Sequence, residues 1–274
     1  MIAIVTDSTI SIPQSEAEVL DIRIVPNSYS VGARVYRESY VDDNGDFERR
    51  IFAMPENCKT SQAPVSAFTP VFEELIKSGF EVLCVVLSSR LSGTYSSACI
   101  AAQEVDPKKI AVVDSLTTAG GLYFLVKRAI HLVAQGLTLT QTAQKLIELR
   151  KHTGIVFSVD DMSALRRSGR LGHVPQSICT VLNLRPILLC VHGTVVARGL
   201  ARGVAERIRE IVAKVPDNAK EVLLHYMGEP NNAAPLLKAL RNRFPALEIS
   251  LYKLGPVLSV HLGAGTLGVA WING

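Results

Sequence analysis

The feature that most constrains the fold of this chain is an unbroken apolar run at residues 82–87, which ends in a turn dense in hydroxyl groups. A run of this length predicts a strand buried on both faces, as in a parallel sheet. The next apolar segment, residues 98–103, is rich in small side chains and predicts a helix. The turn between them therefore lies at the carboxyl end of a parallel strand, where open α/β sheets place their ligands.

The turn itself, residues 88–97, is dense in serine and threonine. We expect Ser92 to cap the following helix, which leaves the amides from Gly93 onward unpaired at the positive end of the helix dipole. Such a helix start suits an anionic oxygen of a carboxylate or a phosphate. An ordinary cap needs only one of these hydroxyls, so the turn alone leaves a ligand site and a simple cap as alternatives.

Other segments repeat the order of strand, turn and helix. Residues 60–64 (TSQAP) precede an amphipathic helix over 65–77, and a polar turn at 114–121 follows a strand over 110–113. This recurrence predicts a parallel α/β sheet in a first domain that covers residues 1–152.

The pattern changes beyond residue 152. His192 and Gly193 separate two apolar runs, 187–191 and 194–198, which predicts an antiparallel hairpin. Hairpins mixed with helices indicate a second, α+β domain with antiparallel strands over residues 153–274. The expected fold class is therefore α/β with two domains, and the hydroxyl-rich loops are expected to converge between them.

Composition and charge exclude several classes of protein. Hydrophobic residues make up 48% of the chain and charged residues 20%, which indicates a globular protein. The net charge is only +4, and the basic clusters at 166–170 and 198–209 carry no interleaved aromatic side chains, so no nucleic-acid partner is expected. No basic leader precedes the first strand, and basic side chains interrupt the apolar stretch at 120–137. We therefore expect a cytoplasmic protein without membrane insertion.

The sequence predicts no cofactor and no metal site. The five cysteines are scattered without a CxxC pair, which predicts reduced thiols rather than zinc ligands. The aspartates at 42–46 lack the glutamate that closes an EF-hand loop. Residues 263–268 spell GxGxxG, but no βαβ unit and no acidic residue follow, so they do not form a dinucleotide fingerprint.

Hydroxyl and imidazole groups on separate loops form the candidate site: Thr60, Ser61, Ser92, Thr94, Ser115 and His261. One hypothesis is a serine hydrolase or acyltransferase, with Ser92 as nucleophile and His261 as its base. Asp7 or Asp114 would orient the histidine, although the GxSxG elbow is absent. The other hypothesis is a binding module that holds a carboxylate without attacking it. A purely structural role for His261 is a third alternative.

Several segments resemble the signature blocks of the DegV family. Residues 60–64 (TSQAP) and 91–95 (LSGTY) are similar to its TSQ and SGTY motifs. Further blocks that resemble the family are VTDST at 5–9, VDS at 113–115, LRRSGRL at 165–171, RPIL at 185–188 and HLGAG at 261–265. The matches span nearly the whole chain in the expected order, so the chain is identified as a member of this family.

The resemblance implies a protein that buries one long-chain fatty acid between its two domains. In bacteria the family includes the acyl-binding subunits of fatty-acid kinase, which present the carboxylate to a separate kinase and carry the acyl phosphate. Carried over by motif, Thr60 and Ser92 would bind the carboxylate, with His261 and the Gly93 amide nearby. The full expected set is Thr60, Ser61, Ser92, Gly93, Thr94 and His261. The resemblance thus implies a lipid-binding protein that is not an enzyme on its own.

A compact basic segment completes the expectations. Arg166, Arg167 and Arg170 are expected to contact the kinase or the transferred phosphate, since guanidinium groups suit multidentate contacts to phosphate oxygens. A solvated basic loop is the alternative. A lipid sensor that has no kinase partner is a further functional alternative.

Overall fold

The computed structural model describes residues 1–160, 162–171 and 184–273. Its strands are β1 (Ile2–Asp7), β2 (Ile22–Val25), β3 (Ser28–Val31), β4 (Arg34–Arg37), β5 (Cys58–Ser61), β6 (Glu81–Val86), β7 (Ile110–Asp114), β8 (Thr153–Ser158), β9 (Leu184–Val191), β10 (Thr194–Arg202), β11 (Glu221–Tyr226), β12 (Ile249–Lys253) and β13 (Leu267–Ile272). Its helices are α1 (Gln14–Val19), α2 (Phe47–Ala53), α3 (Val65–Lys77), α4 (Thr94–Val105), α5 (Ala119–Ala134), α6 (Leu139–Leu149), α7 (Ser163–Arg167), α8 (Gly203–Lys214), α9 (Ala234–Arg243) and α10 (Pro256–Leu262).

The strands of the described residues form three sheets. The N-terminal sheet has the order β2-β1-β6-β7 and is parallel throughout, as predicted. The small sheet, β4-β3-β5, is antiparallel. The C-terminal sheet has the order β10-β9-β8-β13-β11-β12, and all of its pairs except β11–β12 are antiparallel. The predicted α/β fold class with a parallel sheet and an antiparallel-rich sheet is thus confirmed.

The β9–β10 hairpin turns at His192 and Gly193, as predicted. The TSQAP segment was predicted as a turn before α3, and this is wrong for its first two residues. Thr60 and Ser61 belong to β5, which pairs with β3 through the register Tyr29↔Thr60. The local pattern of residues 58–61 is short and polar, so its strand depends on a partner that lies far away in the chain.

Helix α5 joins the two larger sheets into one core. Its first eight residues are all buried, and the helix contacts β1 and β6 on one side and β8 and β13 on the other. Gly120 permits this approach, since a Cβ there would lie 2.6 Å from the Cβ of Ala270 on β13. The boundary predicted at residue 152 agrees with the order of the sheets along the chain, but the division into two domains stays a prediction.

Two further sequence expectations concern the cysteines and membrane-spanning helices. Cys58, Cys84, Cys99 and Cys190 are free thiols, and Cys179 lies outside the described residues. Within the described ranges, no helix has both the length and the apolar character of a membrane span.

Candidate functional site

A cavity of about 380 Å³ lies where the N-terminal sheet, the small sheet and the C-terminal sheet meet. Residues that follow β1 and β6, such as Thr9 and Leu87, line one side. Side chains of the C-terminal sheet, such as Phe157, line the opposite side. The carboxyl ends of the parallel strands therefore face the cavity, which is the position expected for a ligand in an open α/β sheet. The volume lies in the range of small-molecule sites.

Most of the cavity wall is apolar. The apolar lining comes from the turn before α4, from β8, β9 and β10, and from α10 and the loop before it: Leu91, Ile155, Phe157, Cys190, Val195, Leu254, Val257, Leu258 and Leu262. Polar groups are fewer and come from short segments such as β5, the turn before α4 and α10. Such a wall suits a ligand that is mostly hydrocarbon and carries a small polar group.

Thr60 and His261 form the polar pair of the cavity. The Thr60 hydroxyl lies 2.8 Å from Nε2 of His261, and both residues line the cavity. The pair is assembled from β5 and α10, which belong to distant parts of the chain. Burial, with a smaller effect of the nearby Arg170 guanidinium, lowers the pKa of His261 to about 4. The imidazole is therefore neutral at pH 7.

The hydroxyl-rich turn before α4 lies at the same cavity. Ser92 and Gly93 line it, whereas Thr94 lies behind them and is fully buried. The Ser92 and Thr94 hydroxyls are 3.0 Å apart, and Thr94 Oγ1 donates to Asn27 Oδ1 at 2.9 Å. Ser92 was predicted to cap the helix, but the N-cap residue is Gly93; the Ser92 hydroxyl still accepts from the Thr94 amide at 3.3 Å.

Gly93 is required by the close approach of a neighbouring loop. A Cβ at this position would lie 2.0 Å from Oε1 of Gln62, whose amide nitrogen donates to Ser97 Oγ at 2.9 Å. The TSQ and SGTY segments therefore pack directly against each other. This contact explains why hydroxyls from two separate segments reach one cavity.

Of the other predicted residues, some reach the cavity and others do not. Ser61 and Arg170 line it, whereas Ser115 is buried in the turn after β7 and hydrogen-bonds there with Thr117. Arg166 and Arg167 are exposed at the end of α7 and are not part of the lining. Arg170 is half-buried, and its Nε donates to the Leu91 carbonyl at 3.2 Å. The basic segment is thus divided between the cavity wall and the surface.

The side chains of Asn27 and Asp7 hydrogen-bond the segments that carry the site and hold them together, a role that the sequence analysis did not predict. Asn27 lines the cavity, and its Oδ1 accepts from the Ala63 amide as well as from Thr94. Asp7 accepts from the Leu87 amide at 2.7 Å and from the Asn27 side chain at 3.0 Å. These bonds connect the ends of β1 and β6 with both hydroxyl-rich segments. A polar residue directly after the short β-branched stretch that forms β2 was the available sequence signal for Asn27.

Glu38 anchors helix α10, and this role was also missed. Its carboxylate accepts from the Val257 amide at 2.8 Å and from the Ser8 hydroxyl at 2.5 Å. Burial, with a smaller effect of the charge on Asp7, raises the pKa of Glu38 to about 7. The bond to Val257 fixes the start of the helix that carries His261.

The geometry of a Ser–His–Asp triad is not formed by the described residues. The hydrogen bond of His261 Nε2 goes to Thr60, and no bond joins it to Ser92. Asp7 is occupied by Thr9, Asn27 and Leu87, and Asp114 accepts from the Ser89 amide and hydroxyl. The hydroxyls of Thr60 and Ser92 and the imidazole of His261 can instead donate hydrogen bonds to an anionic group in the cavity.

Comparisons with known proteins identify the family of this chain. A family model described as an uncharacterised protein family, DegV, matches residues 1–274. A DegV domain-containing protein of Halalkalibacterium halodurans is 32% identical over 276 residues, which cover 98% of each chain. The solved structure of a fatty-acid-binding DegV family protein from Thermus thermophilus is 31% identical, with a TM-score of 0.86 over 99% of each chain.

A second solved structure shows similarity in the fold alone. It is the fatty acid kinase (Fak) B3 protein of Streptococcus pneumoniae loaded with linoleic acid, which is 20% identical, with a TM-score of 0.83 over 100% of each chain. At this level of identity the likeness shows that the two chains share the same architecture.

Proposed function

This chain belongs to the DegV family, and from that premise we propose that it binds one long-chain fatty acid in the cavity between its sheets. The carboxylate would lie at the Thr60–His261 pair with the Ser92 hydroxyl and the Gly93 amide, and the acyl chain would fill the apolar remainder. The observation that carries this proposal is the combination of an apolar cavity with neutral hydrogen-bond donors from β5, α10 and the turn before α4.

The energetics favour this division between chain and head group. Burial of a chain of ~15 methylenes at about 0.8 kcal/mol each contributes on the order of 12 kcal/mol. That contribution exceeds the lower end of the association cost, which is ~4–15 kcal/mol. The head group can therefore be held by hydroxyls and a neutral imidazole, which satisfy its oxygens and fix its position.

We further propose that the protein presents the bound carboxylate to a separate kinase and carries the acyl phosphate. The in-line transfer of a phosphoryl group needs a carboxylate oxygen in a fixed position, and the kinase supplies the rest of the chemistry. The hydroxyls at the cavity supply such positioning without a nucleophile. Ser92, which has no base within hydrogen-bond distance among the described residues, supports a non-catalytic role. The exposed Arg167 at the end of α7 supports contact with an anionic surface or a phosphate.

Mass spectrometry of an organic extract tests the first part of this proposal. Protein purified from a bacterial host is expected to release about one saturated or monounsaturated long-chain fatty acid for each chain. After delipidation, the protein should bind stearic acid again at the same stoichiometry. A nucleotide in the extract, with no lipid and no binding of stearic acid after delipidation, would overturn the proposal.

A further inference from the structure

We propose that the cavity contains a second polar site, formed by His225 and Thr118, which receives a hydroxyl group carried by the acyl chain. Hydroxylated long-chain fatty acids would then be among the ligands of this protein. The inference rests on the proposed function, because it assigns a substrate class to the same cavity. It is carried by two residues that line the cavity, each of which has a buried side-chain polar atom without a hydrogen-bond partner among the described residues.

His225 lies in the wall of the cavity and carries an unpaired acceptor. It lies on β11, is 3% exposed and lines the cavity. Its Nδ1 lies 3.2 Å from the Tyr252 carbonyl oxygen, which can only accept, so the ring proton belongs on Nδ1. Burial lowers the pKa of His225 to about 4, so the ring is neutral at pH 7 and carries no second proton. Nε2 therefore offers a lone pair, and a buried acceptor without a donor is costly.

Thr118 offers the complementary group at the same end of α5. It is the N-cap residue of α5, and its hydroxyl makes no capping bond and has no other partner in the described part of the chain. The start of α5 lies against the His225 ring, since a Cβ on Gly120 would be 3.1 Å from Nε2. The Thr118 hydroxyl and the His225 lone pair thus belong to one region of the cavity wall.

A hydroxyl group is the ligand chemistry that fits this pair. It donates its proton to Nε2 of His225 and accepts from the Thr118 hydroxyl, so each buried group finds the partner it lacks. A carboxylate does not fit, because it only accepts and would face the lone pair of Nε2. The carboxylate therefore binds at Thr60 and His261, and the second site binds a hydroxyl group on the acyl chain.

A binding series with matched ligands tests the inference. Delipidated protein is titrated with stearic acid and with its 3-, 10- and 12-hydroxy derivatives, by displacement of a fluorescent fatty acid. We expect at least one hydroxy isomer to bind as tightly as stearic acid or more tightly. In His225→Phe, which fills the space but removes the acceptor, the affinity for that isomer should fall about tenfold, the scale of one lost hydrogen bond. The affinity for stearic acid should change less than about threefold, because the lost bond is not made to that ligand.

Thr118→Val is the second variant, since it preserves the shape of the side chain and removes the hydroxyl. It should weaken the binding of the same isomer more than the binding of stearic acid, and it keeps the test decisive if His225→Phe does not fold. The inference is overturned if every hydroxy isomer binds far more weakly than stearic acid, or if the preference survives both variants. Failure of stearic acid and of all isomers to bind would overturn the proposed function as well, whereas binding of stearic acid alone would overturn only the second site.

Discussion

The Thr60 hydroxyl and Nε2 of His261 lie 2.8 Å apart, although 201 positions separate them in the chain. One belongs to the small sheet and the other to α10, which follows the strands of the C-terminal sheet except β13. The polar end of the cavity therefore exists only when the two parts of the chain are docked. Any ligand that bridges this pair stabilises the docked state, because it binds the folded chain and not the unfolded one.

We expect removal of the head-group hydroxyls to weaken fatty-acid binding without loss of the fold. Ser92→Ala and Thr60→Val should each cost about 0.5–3 kcal/mol of binding free energy, the scale of a lost hydrogen bond to a charged group. Isothermal titration with stearic acid measures this loss. Ser96→Ala is the matched control, since Ser96 is exposed in the first turn of α4, close to Ser92 in the chain, and does not line the cavity. Labelling of Ser92 by a fluorophosphonate probe would instead support the hydrolase hypothesis.

His261 should become easier to protonate when the carboxylate is bound. In the ligand-free protein, burial lowers its pKa from the ordinary 6.5 to about 4. A negative charge beside the ring favours the imidazolium form, so its pKa should rise on loading with stearic acid. NMR titration of the His261 ring, assigned with His261→Asn, measures the change. A pKa that does not move, or that falls, would place the carboxylate elsewhere in the cavity.

The buried Glu38 should make stability depend on pH near neutrality. Its pKa is raised from 4.5 to about 7 in the folded state, so the folded chain holds this proton more tightly than the unfolded chain does. The free energy of unfolding should therefore fall as the pH rises from about 4.5 to 7, by at most on the order of 3 kcal/mol. In Glu38→Gln this part of the slope should be absent in urea titrations at pH 5 and pH 8. The exposed Glu104→Gln is the control and should keep the wild-type slope.

Arg170 and Arg167 should have separable effects, because only Arg170 lines the cavity. Contact of the basic segment with the kinase or the phosphate stays a prediction for all three arginines. Arg170→Gln should weaken the binding of stearic acid by on the order of 1 kcal/mol, because a favourable charge is lost. The binding of stearyl alcohol, which carries no charge, should not change. Equal losses for the acid and the alcohol would indicate a packing role instead.

Arg167→Glu should leave lipid loading unchanged and slow phosphorylation of the bound fatty acid by a cognate kinase. Higher salt should slow the wild-type reaction in the same way, because exposed charges are screened. Arg241→Glu, on α9, is a control for the general effect of reversing a charge. A normal rate in Arg167→Glu would assign this residue to a solvated loop.

Much of the site was accessible from local patterns. The apolar run of β6 and the hydroxyl-rich turn after it predict a ligand position at the carboxyl end of a parallel strand, and the cavity lies there. The hairpin at His192 and Gly193 was equally local, because two residues between apolar runs determine it. These features depend on hydrophobic periodicity and turn chemistry within a few residues.

The parts that were missed depend on contacts between distant residues. Glu38 accepts from an amide 219 positions away, and no periodicity within its own segment marks it as buried. His225 lies within an apolar strand whose register places it opposite Gly268, and this register follows from pairing with β13. The position of Ser92 was predicted correctly at the turn, but its capping role was wrong by one residue, because the contact with Gln62 requires glycine at the N-cap.

The place of β13 in the C-terminal sheet has a consequence for synthesis of the chain. It lies between β8 and β11, both of which leave the ribosome before it. At ~5–20 residues per second, the edges of these two strands stay unpaired for some seconds, and open edges recruit other chains. A chain that is truncated before residues 267–272 would have two such unpaired strand edges. The face of α5 near Gly120, which packs against β13 in the full chain, would also be uncovered. Quality-control proteases, rather than loss of ligand binding alone, would then determine the fate of such a product.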